Sequence, residues 1–279
     1  MQLPIFYVDD VLKRALSEDI HYLDTTTDLM IAPDSVSKAR LIAKADGVVC
    51  GLDVALRVFE LIDAGAVKST VYLPEGSRVK VGDVIVDLEG STRCLLKGER
   101  TALNLLQHMS GIATATAHLA DLVQGTNAWV TDTRKTLPGL RALQKYAVTV
   151  GGGKNHRYNL SDGAMLKDNH IDAAGGIANA VSTIRQKLGH MVKLEVETRN
   201  LDEVQQALDA GADVIMLDNM NCDDMRRAVE LVGGRALLEA SGSINETTIR
   251  AVAETGVDII SVGALTHSVK AMDISMRIS

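Results

Sequence analysis

Residues 192–219 read VKLEVETRNLDEVQQALDAGADVIMLDN, and the order of patterns inside this stretch decides the fold class. Leu194 and Val196 alternate with Glu195 and Glu197, the period of a strand with two different faces. Leu201, Val204 and Leu208 then share one helical face, and Gly211 stops the helix. Residues 214–218, VIMLD, form a second short apolar run closed by a carboxylate. Strand, helix, strand at this spacing makes two parallel neighbours.

The same unit repeats in both directions. Short β-rich runs occur at 129–133, 164–167, 236–241 and 259–263; with the two above, their starts lie 22 to 35 residues apart, room for one helix per gap. Ile249, Val252, Ala253 and Gly256 mark one such helix. A parallel βα repeat closes toward a barrel, whose active site lies at the C-terminal ends of the strands. Before residue 105 the texture changes. Residues 74–92, PEGSRVKVGDVIVDLEGST, alternate apolar and polar with turn points at Gly76, Gly82 and Gly90, which predicts an antiparallel hairpin region in a separate α+β domain. Between the parts, residues 98–123 place Leu105, Met109, Ile112, Leu119 and Val123 on one face of a single long helix.

Composition narrows the class. With 279 residues and 46% hydrophobic content there is material for a large core. The apolar runs end in charge within a few residues, so no membrane span is expected, and the N-terminus lacks a basic start followed by an apolar run. Cytoplasmic location is the default expectation. Cys50, Cys94 and Cys222 have neither CxxC nor Cys/His spacing, so they predict neither a disulfide framework nor a zinc site. A net charge of −7 argues against nucleic acid as a partner.

Charge is nevertheless concentrated at the predicted strand ends. The first strand ends in Thr133, Arg134 and Lys135, the second in Lys167 and Asp168, and the third carries Lys193, Glu195 and Glu197 on one face. The fourth ends in Asp218 and Asn219, the fifth in Glu239 and Ser241 before Gly242, the sixth in Gly263. Residues 151–163, GGGKNHRYNLSDG, combine close backbone approach at the glycines with donors on Lys154, His156 and Arg157. The loop fits neither a Walker A motif nor GxGxxG. A rim holding Arg134, Lys135, His156, Arg157 and Lys167 on an acidic chain predicts a polyanionic ligand. Glu197 and Asp218, on neighbouring strands, suit a magnesium ion shared with a phosphorylated substrate; the alternative is ion pairing with Lys167 and Lys193 inside the barrel.

These residues carry a resemblance. ERTALNLLQHMSGIAT, DTRKTLPGLRALQKYAVTVGGGKNHRYNLSDGAMLKDNHI, KLEVE, IMLDN, EASGSI and VGALTHS, in this order from about residue 4 to the C-terminus, are similar to the nicotinate-nucleotide pyrophosphorylase (carboxylating) family, also called quinolinate phosphoribosyltransferase. The resemblance implies an N-terminal α/β sandwich over 1–105, an open, incomplete α/β barrel over 106–267, and a tail, 268–279, packed back on the first domain. It implies condensation of quinolinate with phosphoribosyl pyrophosphate, with magnesium, to nicotinate mononucleotide, pyrophosphate and carbon dioxide in de novo NAD synthesis. It further implies a homodimer in which Arg100 reaches the neighbouring subunit's pocket, completed by Thr133, Arg134, Lys135, His156, Arg157 and Lys167. Glu197 and Asp218 match positions for ribose hydroxyls and magnesium, and Ser241, Gly242, Ser243, Val262, Gly263 and Ala264 match phosphate-holding backbone. Lys44 and His267 are further phosphate candidates. Lys135 and Lys167 are assigned to electrostatics rather than covalent catalysis. Three departures stand out: Leu137, Lys154 and Ser243, the last where glycine or asparagine is usual. Rival readings are a Schiff-base aldolase using Lys167 or Lys193, a non-catalytic nucleotide sensor, and a phosphoribosyltransferase for another base.

Overall fold

The computed structural model describes residues 3–279, which form two compact units. One takes the chain up to residue 117 with 136–152 and 266–279; the other takes 118–135 and 153–265.

In chain order the elements are α1 (Ile5–Asp19), α2 (Thr25–Met30), β1 (Val36–Ala43), β2 (Gly47–Val48), α3 (Leu52–Ile62), β3 (Val67–Val71), β4 (Arg78–Val79), β5 (Val84–Ser91) and α4 (Thr92–Leu122). They continue with β6 (Trp129–Thr131), α5 (Arg141–Val150), β7 (Ala164–Leu166), α6 (Asp168–Ala174), α7 (Ile177–Arg185), β8 (Leu194–Thr198) and α8 (Leu201–Asp209). The last are β9 (Val214–Asp218), α9 (Cys222–Val232), β10 (Leu237–Ser241), α10 (Ile249–Ala253), β11 (Ile259–Ser261), α11 (Ala264–His267) and β12 (Ile274–Ile278).

The first unit is built on an antiparallel sheet ordered β12-β1-β5-β3. Ala39, Leu41 and Ala43 of β1 are buried while Lys38 and Arg40, which alternate with them, are exposed, so one face meets the core. The expected hairpin within 74–92 does not form: β4 pairs with β2, and β5 runs between β1 and β3 as a central strand. Gly90 makes this possible, because a Cβ there would run into the Ala66 carbonyl oxygen. β12 lies antiparallel to β1, with Ala39 opposite Ile278. The long helix forms as α4, and Leu105, Met109, Ile112, Leu119 and Val123 are all buried.

The second unit carries a parallel sheet ordered β6-β11-β10-β9-β8-β7. β6 and β7 are its two edges, so the barrel is open between them. The 153–163 loop enters at that gap, where Thr131 bridges Lys154. Val196, Ile215, Leu217, Leu238 and Ile260 are buried on the face that alternates with Glu195, Met216, Glu239 and Ser261. Burial of each such aliphatic side chain contributes about 1.5–3 kcal/mol. All six expected runs are strands with ends shifted by no more than two residues. One helix per gap is not the rule between β7 and β8, where α6 and α7 are separated by Gly175 and Gly176, both at positive φ.

Candidate active site

The C-terminal ends of the barrel strands enclose a cavity of about 570 Å³. β6 stops at Thr131, and after Asp132 the next three residues turn into this cavity. Asp132, fully buried, fixes the turn: its carboxylate accepts from Asn155 Nδ2 at 2.6 Å and from the His156 backbone N–H at 2.9 Å. One side chain therefore ties the strand end to the glycine-rich loop. Thr133 Oγ1 accepts the Lys135 N–H at 3.0 Å, and Thr133, Arg134 and Lys135 all line the cavity.

Arg134 is the side chain that most clearly awaits a partner. Its Nε is buried with no acceptor, a cost of about 1–3 kcal/mol when no anion is present. Arg157, also on the cavity wall, donates Nη1 to the Gly163 carbonyl at 2.7 Å. Burial, followed by the charge of Arg134, lowers the Arg157 guanidinium from its ordinary value, while Glu195 and Asp162 oppose the shift. Two guanidiniums that repel each other in one cavity are poised for a shared counter-ion.

Lys167 follows β7 and caps α6, where its N–H donates to His170 Nδ1 at 3.1 Å; this gives His170 a structural role. Lys167 Nζ lies 3.4 Å from Glu197 Oε2, one of the two ion pairs weighed as an alternative to metal binding. The other does not form, because Lys193 pairs with Asp213 at 3.2 Å. Lys167 is half exposed, so its pairing is weak enough to yield to a ligand. Glu197 and Asp218 extend into the same cavity from adjacent strands. This donor set suits magnesium, which takes one or two carboxylates and completes its shell with water and substrate phosphate.

Ser241, Gly242 and Ser243 form the fourth wall. Gly242 has φ +102 and a Cβ there would strike Asn219, whose N–H donates to the Ser241 carbonyl at 2.8 Å. Ser243 has φ 53, a left-handed conformation that accounts for the glycine or asparagine usual at this position. Val262 is buried with its N–H on the Thr131 carbonyl at 2.9 Å; Gly263 and Ala264 follow β11 outside the cavity lining. Arg100, Lys44 and His267 belong to the first unit, where Arg100 and His267 are exposed.

His156 lines the cavity, yet its ring is engaged below it. Nε2 lies 3.0 Å from Glu195 Oε2 and 3.6 Å from Glu239 Oε2. Both glutamates are buried, and each keeps one oxygen without a partner. Glu195 and Glu239 stand among the predicted strand-end residues, but that position alone assigns them no role. The usable signal was spacing: Glu195 stands two residues before Glu197, and Glu239 two before Ser241, each on its neighbour's face.

Comparison with known proteins agrees with this architecture. Residues 112–277 match quinolinate phosphoribosyl transferase, C-terminal domain, and residues 24–110 match its N-terminal domain. The chain is 43% identical over 269 residues to the probable nicotinate-nucleotide pyrophosphorylase (carboxylating) of Bacillus subtilis, covering 96% of this chain and 92% of that one. It is 42% identical to the nicotinate-nucleotide pyrophosphorylase (carboxylating) of Mycobacterium leprae, covering 96% and 95%. The crystal structure of NadC from Streptococcus pyogenes superposes with a TM-score of 0.97 at 44% identity, covering 100% of this chain and 99% of that one.

Proposed function

The chain belongs to the quinolinate phosphoribosyl transferase family, and from that premise we propose how its pocket works. The enzyme is a phosphoribosyltransferase that converts quinolinate and phosphoribosyl pyrophosphate to nicotinate mononucleotide, pyrophosphate and carbon dioxide, a step of de novo NAD synthesis. The buried, unpartnered Nε of Arg134 in a cation-lined barrel mouth is the observation that carries the residue assignments.

In this reading Arg134, Lys135, Arg157 and Lys167 hold the two quinolinate carboxylates, with Thr133 beside them. His156 supports the wall through its ring. Ser241, Gly242 and Ser243 cradle phosphate with backbone donors, Gly263 and Ala264 are assigned to the same phosphate from the loop after β11, Val262 anchors that loop through its N–H on the Thr131 carbonyl, and Glu197 and Asp218 bind the ribose hydroxyls. Glu197 and Asp218 would also hold magnesium, which when bound neutralises the charge that grows on the departing pyrophosphate. Displacement at the anomeric carbon passes through an oxocarbenium-like state, so alignment of the pyridine nitrogen by paired cations does much of the work. Arg100, exposed on α4, is assigned to the pocket of a second copy in a homodimer.

Purified protein given quinolinate, phosphoribosyl pyrophosphate and magnesium should release nicotinate mononucleotide and carbon dioxide in equal amounts. Nicotinate should not substitute, and a chelator should stop turnover while leaving quinolinate binding intact. Equal use of nicotinate, or loss of quinolinate binding on chelation, would contradict these assignments.

A further inference from the structure

The second unit holds another cavity, of about 360 Å³, at the opposite ends of the same strands: Trp129, Ala164, Val214 and Ile259, which open β6, β7, β9 and β11, line it. His156, Arg157 and Glu239 line both this rear cavity and the substrate pocket. They are the partition between the two.

Within the partition, His156 Nδ1 accepts the Arg157 backbone N–H at 2.8 Å, so the proton of the neutral ring sits on Nε2, facing Glu195 at 3.0 Å. A metal would need Nε2 unprotonated, which makes this cluster a hydrogen-bonded one. The His156 N–H serves Glu195 and leaves Glu239 as the carboxyl that keeps a proton of its own. Glu239 is faced by Glu195 of β8, by Asp132 after β6, by Ser261 of β11 and by His156 and Arg157 of the loop; its ladder partner on β9 is the uncharged Met216. Burial, then the charge of Glu195, raise the Glu239 carboxyl to about 7.

The reaction has a matching demand. When carbon dioxide leaves, the bond between C2 and its carboxylate breaks, the electron pair stays on C2, and the ring must gain one proton there. By then the ring nitrogen is ribosylated, and the front pocket holds this intermediate beside pyrophosphate. We propose that Glu239 gives its proton to C2, its O–H bond breaking as the C–H bond forms, and that the resulting carboxylate takes a replacement proton from bulk solvent by way of the rear cavity, the one proton that the step consumes. This step rests on the quinolinate reading above.

The test compares the wild type with Glu239→Gln, which keeps the shape and cannot supply an acidic proton. Removal of a positioned general acid should lower kcat about 100-fold or more, with KM for quinolinate changed by no more than about threefold. Wild-type kcat should also fall as pH rises through the neutral range, and that fall should be absent in the variant. A variant that keeps kcat within about threefold overturns the step. Should the variant not fold by circular dichroism, the wild type alone decides, because a kcat flat from about pH 6 to 9 overturns it equally. Wild-type protein that forms no nicotinate mononucleotide defeats the substrate reading itself, whereas the other two outcomes defeat only the proton step.

Discussion

Replacing Arg134 by methionine should weaken substrate binding and strengthen the fold in one stroke. Truncating one partner of a desolvated charge pair costs about 2–5 kcal/mol. Arg134 is only half-buried, so the lower part of that range applies. About 2–3 kcal/mol corresponds to a 30- to 140-fold rise in the quinolinate Kd. The apo protein gains instead. Methionine removes a buried Nε without an acceptor, and it removes the cation that presses on Arg157. Together these should add about 1–2 kcal/mol, or a few degrees in Tm for a chain of this size. Titration calorimetry with quinolinate in the absence of phosphoribosyl pyrophosphate measures the first effect, and scanning calorimetry of the free protein the second. A quinolinate Kd within threefold of wild type would refute the claim that Arg134 holds a substrate carboxylate. A variant that binds poorly and also melts lower would show that Arg134 serves the fold through contacts other than a vacant guanidinium.

Three further outcomes follow from the geometry. Asp132→Asn replaces an acceptor that serves both Asn155 and His156 with a group that can satisfy only one of them; stability should drop by about 2–3 kcal/mol, and an unchanged Tm would count against Asp132 as the anchor of the loop. Glu239 is an acid whose folded pKa is raised to about 7, so the folded state binds more protons than the unfolded one above the ordinary glutamate value. Its contribution is full below about pH 4 and is lost as pH rises through 7, a change of a few kcal/mol. The Tm of Glu239→Gln relative to wild type should therefore be higher at pH 8 than at pH 5, and the reverse order would refute the sign. Ser243→Gly relieves a left-handed backbone at φ 53 and should raise stability by about 0.5–1 kcal/mol after the added freedom of the unfolded chain is subtracted; a lower Tm would mean that the hydroxyl matters more than the backbone.

The linear order of this chain determined its barrel, because hydrophobic period and glycine stops are local signals. In 192–219 alone the side chains declare a strand, a helix and a second strand, and β8, α8 and β9 stand where those signals lie. The cationic rim was legible for a related reason: parallel strands bring all their C-terminal ends to one side, so residues far apart in sequence, such as Lys135 and Lys167, line one cavity. Strand pairing in the first unit was not legible. Alternation within 74–92 says that a strand is present, while its partners depend on which distant backbone can approach Gly90. The loop geometry that turns His156 away from solvent was equally hidden. Only the folded sheet brings Glu195 and Glu239 within reach of one imidazole, and what a buried carboxylate does depends on the charges around it, which a sequence does not place.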